Sequence, residues 1–339
     1  MKKNYFMLAA ATVMFAACAE TDLVNEINEA EAQYAIGFDA FANKTTRAEM
    51  TASTLTNFKV WGYKESGTYN YTVFDGVEVT KSGNEWTYTD KQYWDEKATY
   101  EFYAVAPADN NSSIDENRMI TINDVASGIS TASKDYVIDR NGFDADGEDK
   151  PTVAIAFNHI MTKLSFVLKA QDAVDETIEV TSLKMHGYDN GVGVFAQSST
   201  YNVENYNKKD DGYAEWTISS SDVTTEENAS VIIDKSVTVT KSSTEIVGNS
   251  YIMVPQYIDA NKLFFTISYN IVRTEKDADG NDVTVKETFT DQVASVENPQ
   301  VWGTDTHFIY TISVGPDPIE FSASVLEWSK ENAGSETIE

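Results

Sequence analysis

A single cysteine, Cys18, follows directly on Phe15-Ala16-Ala17. Small residues before a lone thiol, behind a basic start (Lys2, Lys3) and an apolar run from Tyr5 to Ala17, read as a lipoprotein attachment site. The chemistry is export, cleavage before Cys18 and acylation of its sulfur. The run is too short to span a membrane as a helix, so residues 1–17 read as a signal peptide. Acyl chains on Cys18 would anchor the chain firmly, at about 0.8 kcal/mol per buried methylene. The second reactive feature is a peptide bond. Arg47-Ala48 lies in the polar stretch Asn43–Glu49, and flexible polar loops are where proteases cut.

Other residues with chemical potential lack partners at useful spacing. His159, His186 and His307 are far apart, with no Cys, His or carboxylate at metal-ligand spacing. Asp277–Asp282 and Asp144–Asp149 resemble calcium loops, but an EF-hand needs Gly at its sixth position and these runs carry Asp there. The first reads as an acidic hairpin loop. No Gly-x-Ser-x-Gly elbow, phosphate loop or dinucleotide fingerprint occurs. The signatures of a nucleophile with its base, or of paired carboxylates, are also missing. We therefore expect no enzyme, no metal and no cofactor. Trp61, Trp86, Trp94, Trp216, Trp302 and Trp328 could stack on sugar rings, but they are dispersed along the chain, and packing inside β-sheets explains them more simply.

The composition sets the frame for these residues. The chain has 339 residues, 42% hydrophobic and 12% aromatic, with 18 Tyr and 16 Phe. That is too apolar for an acidic disordered chain and long enough for two domains. Lys+Arg 25 against Asp+Glu 54 gives a net charge of −29, which repels nucleic-acid phosphates and anionic lipid headgroups alike. Removing residues 1–17 takes away two lysines and no acid, so any hold on a membrane must come from lipid.

Residues 19–33 are small and acidic, a solvated tether. Then Tyr34, Ile36, Phe38 and Ala40 alternate with small or polar residues, the period of a half-buried strand. Further aromatic and β-branched runs predict strands at Phe58–Tyr63, Tyr69–Phe74, Trp86–Tyr88 and Thr99–Val105, with turn residues between them. The acidic segment Asp139–Pro151 predicts an interdomain loop. Beyond it, strands are expected at Val153–His159, Lys163–Leu168, Ile178–Met185, Val231–Thr240, Tyr251–Val254, Leu263–Val272, Val283–Thr290 and His307–Val314. No convincing helical period appears. The expected fold is all-β, with two tandem β-sandwich domains at 48–152 and 153–339.

The C-terminus offers a last strand. Ile319, Phe321, Ala323 and Val325 alternate with polar residues, and Leu326 and Trp328 follow. Pro316 and Pro318 set this segment apart, so it is able either to complete its own sheet or to pair with an open edge elsewhere.

An ordered set of motifs resembles the fimbrillin and minor-fimbrillin-like (Mfa-like) family, lipoprotein-derived type V pilus subunits of Gram-negative anaerobes. They are Phe15–Cys18, Thr46-Arg47-Ala48, Phe102–Pro107, Asp135–Asp139, Phe157–Phe166, Tyr251–Gln256, Trp302-Gly303, Tyr310–Val314 and Ile319–Trp328. The resemblance spans nearly the whole chain. It implies two fimbrillin-like, transthyretin-like sandwiches, the second beginning near Phe157–Phe166.

The resemblance also implies a mechanism. The subunit reaches the outer membrane as a lipoprotein, and an arginine-specific protease cuts after Arg47. The piece lost is the lipidated propeptide, residues 18–47, with the strand carrying Tyr34, Ile36, Phe38 and Ala40. The groove left behind would receive the C-terminal strand of another fimbrial subunit, here Ile319–Trp328. A subunit left uncut would keep its lipid and serve as an anchor. The tail after Trp328 is polar, where stalk subunits tend to continue with a second apolar strand, so stalk, anchor and tip all stay open. The other reading is a surface lipoprotein or adhesin that binds glycan or host protein without polymerising.

Overall fold

Alternating burial drives the architecture. Val153, Ile155 and Phe157 are buried while the residues between them are only half-buried, and the same period runs through most long strands. The computed structural model describes residues 34–42, 54–123, 125, 134–139, 143–171, 177–186, 199–203, 216–218, 230–233, 235–240 and 244–327. Among the described residues every regular element is a strand, so the fold is all-β as expected.

Among the described residues ten strands make up the first part. They are β1 (Phe38–Ala42), β2 (Asn57–Ser66), β3 (Tyr69–Ser82), β4 (Glu85–Thr87) and β5 (Thr99–Ala106). Then come β6 (Ser112–Ile114), β7 (Ile120–Ile122), β8 (Val137–Ile138), β9 (Phe143–Asp146) and β10 (Val153–His159). Their main sheet runs β1-β10-β8-β5-β2-β3-β4, with β9 on β5. Ile36, Phe38, Phe58, Phe74, Phe102, Val153, Ile155 and Phe157 belong to its core.

Thirteen strands follow among the described residues. The first seven are β11 (Thr162–Ala170), β12 (Thr177–His186), β13 (Ser199–Val203), β14 (Trp216–Ile218), β15 (Ser230–Ile233), β16 (Val237–Val239) and β17 (Thr244–Met253). The rest are β18 (Gln256–Ile258), β19 (Phe264–Lys276), β20 (Asp282–Ser295), β21 (Gln300–Trp302), β22 (Thr306–Val314) and β23 (Glu320–Glu327). One sheet is ordered β17-β11-β22-β23 and another β15-β12-β19-β20. Their inner faces share a core that includes Phe166, Leu183, Phe265, Tyr310 and Ile312, the layering of a sandwich.

Two expectations need correction. The chain enters the second core at Leu164, whereas Val153, Ile155 and Phe157 pack in the first. Alternation marks β10 as half-buried, but only its partners, β1 and β8, determine which core it faces. Nor is Asp139–Pro151 an interdomain loop. Phe143 packs near Phe102, ring centroids 6.5 Å apart, and β9 adds to β5, so the acidic segment folds back onto the first sheet.

The two parts are also joined. β13 pairs with β7, and a third core mixes Trp61, Val105, Ile120, Ile122 and Ile138 with Ile160, Met161, Ile252 and Val254. Beside it His159 Nδ1 lies 2.9 Å from Asp135 Oδ2, both side chains almost wholly buried.

Candidate functional site

The N-terminal strand is built into the first core while lying at the edge of its sheet. Ile36 is 1% exposed and Phe38 6%, because the period-2 alternation turns both inward. The Phe38 ring meets four others edge-on, with centroids 6.0 Å from Phe58, 5.4 Å from Phe74, 5.5 Å from Tyr88 and 6.1 Å from Phe102. Ala40 is half-buried against the same core. Tyr34 differs from its neighbours. It is 41% exposed, its ring capped by Lys150 Nζ at 4.8 Å from the centroid.

Backbone bonds hold this strand on two sides. Ile36 N–H donates to Gln92 O (2.8 Å), Trp94 N–H to Tyr34 O (2.9 Å), and Val153 N–H to Gly37 O (2.9 Å). The Tyr88 hydroxyl donates to Ile36 O at 2.7 Å, and burial raises its pKa above the usual phenol range. From Phe38 to Ala42 the strand runs parallel to β10, with Phe38 opposite Val153 and Asp39 opposite Ala154. Apart from Tyr88 Oη these contacts are main chain to main chain, so side-chain identity is tested only in the apolar sockets.

The C-terminal strand is its opposite in burial. β23 pairs with β22 on one side and ends its sheet. Ser322, Ala323 and Ser324 are exposed, Val325 is 42% exposed and Leu326 half-buried. Ile319 packs partly against the second core. The side chain of Phe321 lies outside the described residues.

The approach to β23 is clamped. Buried Gln171 donates from Nε2 to Pro318 O at 2.8 Å, and its Oε1 accepts from Asp317 N–H at 3.3 Å. Tyr269 Oη donates to Gly315 O at 2.7 Å. A Cβ at Gly315 would come within 2.1 Å of Gln171 Oε1, so a larger residue there would displace the Gln171 side chain from the clamp. Neither this clamp nor the bridge at Tyr34–Ile36 is a sequence signal, because each joins residues distant in the chain.

Cys18, Arg47, Ala48 and Trp328 lie outside the described residues. The three histidines are used structurally. His159 faces Asp135, His186 stacks on Phe264 and bonds Thr266, and His307 Nε2 lies 2.8 Å from Ser165 Oγ. Trp61, Trp86, Trp94 and Trp302 are buried, as packing predicts, and so present no sugar-stacking face. Asp277–Asp282 forms the tip between β19 and β20, where Asp277 Oδ1 accepts the N–H groups of Asp279 and Asn281. One polar cleft went unread in the sequence. Tyr63, Tyr71, Asp115, Glu116 and Arg118 line it, with the Arg118 guanidinium 3.4 Å over the Tyr63 ring.

His307 carries a pH dependence. Burial first, and the charge of Lys163 second, push its pKa down to about 3. The folded chain keeps the imidazole neutral, whereas the unfolded chain protonates it below about pH 6.5. Its contribution is full above pH 6.5 and falls as the pH drops toward 3, by about 1.4 kcal/mol per unit. Comparing unfolding of the wild type and His307→Asn, the stability difference should move against the wild type by about 2 kcal/mol between pH 6.5 and 5.

The fimbrillin-like family profile matches residues 46–328. Among solved structures, the fold is similar to that of a fimbrial protein from Bacteroides vulgatus, 18% identical over 87% of this chain and 99% of that one, with a TM-score of 0.63. A protein from Bacteroides uniformis ascribed to cell adhesion is 16% identical over 87% of this chain and 98% of that one, with a TM-score of 0.49. No curated protein matches the chain significantly by sequence.

Proposed function

The chain belongs to the fimbrillin-like family, and from that premise we propose that it is a structural, non-enzymatic subunit of a cell-surface fimbria. It is exported as a lipoprotein acylated at Cys18, held in the outer membrane, trimmed after Arg47 by an arginine-specific protease, and joined to neighbouring fimbrial subunits by strand exchange. The observation that carries this reading is a contrast between the two end strands. The N-terminal one fills sockets in a core, with Ile36 and Phe38 buried. The C-terminal one is an exposed edge that buries little at Ser322–Val325. Losing the first opens apolar pockets and unpaired backbone, both of which an amphipathic strand satisfies.

Arg47→Ala tests the order of events. We expect a folded, lipidated monomer that keeps residues 18–47 by mass spectrometry and gives no SDS-resistant ladder from whole cells. Ladders equal to those of the wild type would reject cleavage at this bond.

A further inference from the structure

Near opposite ends of the chain the same spacing of apolar residues occurs twice: Ile36-Gly37-Phe38-Asp39-Ala40 and Ile319-Glu320-Phe321-Ser322-Ala323. Each reads Ile-x-Phe-x-Ala. In the first copy Ile36 is buried in the first core, Phe38 sits in a cage of four aromatic rings, and Ala40 is half-buried against the same core. We infer that the C-terminal strand of a second copy of this chain enters the vacated groove parallel to β10 in one register. Ile319 takes the place of Ile36, Phe321 that of Phe38, and Ala323 that of Ala40. The partner is therefore the chain's own kind. This inference rests on the strand-exchange reading and adds to it the occupant and the alignment.

Other alignments fail on volume or polarity. A shift of one residue turns Glu320 and Ser322 toward the core. A shift of two in one direction puts Ala323 in the aromatic cage and leaves a void. A shift of two in the other puts Phe321 where Ala40 sits, and overpacks it. The backbone gives independent support. In the inferred register Pro318, which has no N–H, falls at the position of Ala35. The bridge between Ala35 and Tyr93 uses the N–H groups of Ile36 and Trp94 and not that of Ala35. Proline is tolerated there, whereas moving it one place on would remove the donor to Gln92 O.

Engineered thiols read the register directly, because Cys18 is the only native cysteine and leaves with residues 18–47. Asp39 lies opposite Ala154, so Ser322 of the entering strand should lie there too. Chains carrying Ala154→Cys with Glu320→Cys, Ser322→Cys or Ser324→Cys are trimmed by an arginine-specific protease, polymerised, oxidised and run on denaturing non-reducing gels. We expect the 154–322 pair to form intersubunit disulfides at least ten-fold faster than the other two. Fastest closure at 320 or 324 overturns the register while leaving strand exchange standing. Polymer without any disulfide overturns the parallel placement beside β10. Failure of the unsubstituted trimmed chain to polymerise sinks the strand-exchange reading and the inference with it.

A synthetic peptide of residues 317–328 added to the trimmed chain covers the case in which thiol variants misfold. Phe321→Ala in that peptide should weaken binding at least 100-fold, and Val325→Ala far less. Equal losses would overturn the assignment of Phe321 to the aromatic cage.

Discussion

Phe38→Ala in the untrimmed chain should cost about 3–5 kcal/mol of stability and lower the melting temperature of the first core by roughly 10 °C. The argument is local. The ring is 6% exposed and meets Phe58, Phe74, Tyr88 and Phe102 edge-on, each such pair adding about 0.5–1.5 kcal/mol beyond burial. None of the four neighbours has room to collapse inward, since all are buried in the same cluster, so truncation leaves a cavity. Thermal unfolding followed by near-ultraviolet circular dichroism measures the loss. A shift under 2 °C would mean that the N-terminal strand adds little to the first core, and a groove opened by its removal would then offer a donor little to bind.

Ending the chain after Pro318 should abolish assembly and leave the first domain folded. β23 contacts its own sheet through β22 alone, and Ser322–Val325 are exposed, so its loss should cost the monomer only about 2–4 kcal/mol, mostly through Ile319 and the ladder bonds. On the strand-exchange proposal polymerisation loses everything, because the strand proposed to enter a neighbour is gone. Four or five buried side chains in a groove are worth roughly 10 kcal/mol before ordering costs. Electron microscopy and SDS-resistant ladders from cells making only the shortened chain decide the matter. Filaments of normal length would reject the donor role, whereas monomers with an intact first melting transition support it.

Much of the inward-facing series was legible in the residues themselves. Period-2 alternation places Ile36 and Phe38 inside, and it marks residues 319–325 as a strand set off by Pro316 and Pro318. It misjudges Tyr34, which precedes the strand, is 41% exposed and rests against Lys150. What local pattern does not carry is pairing across long separations. Nothing in Val153–His159 says that Val153–Phe157 aligns in parallel with β1, and this alignment is what draws the strand into the first core. The same holds for β13 on β7 and for Gln171, an unremarked polar residue that holds the approach to β23. The calcium-like Asp277 turn shows the converse. Its missing sixth-position glycine excluded an EF-hand, and its hydrogen bonds close a hairpin.

The mixed core around Trp61, Ile160, Met161 and Ile252 has a mechanical corollary. Among the described residues, tension applied to one part of the chain passes to the other through interlocked apolar side chains and the β7–β13 ladder. In a string of such units the give would then reside at the joints. There, in the proposed register, a donated strand parallel to β10 would be loaded in shear along its length, so its hydrogen bonds would have to yield together instead of peeling apart one by one.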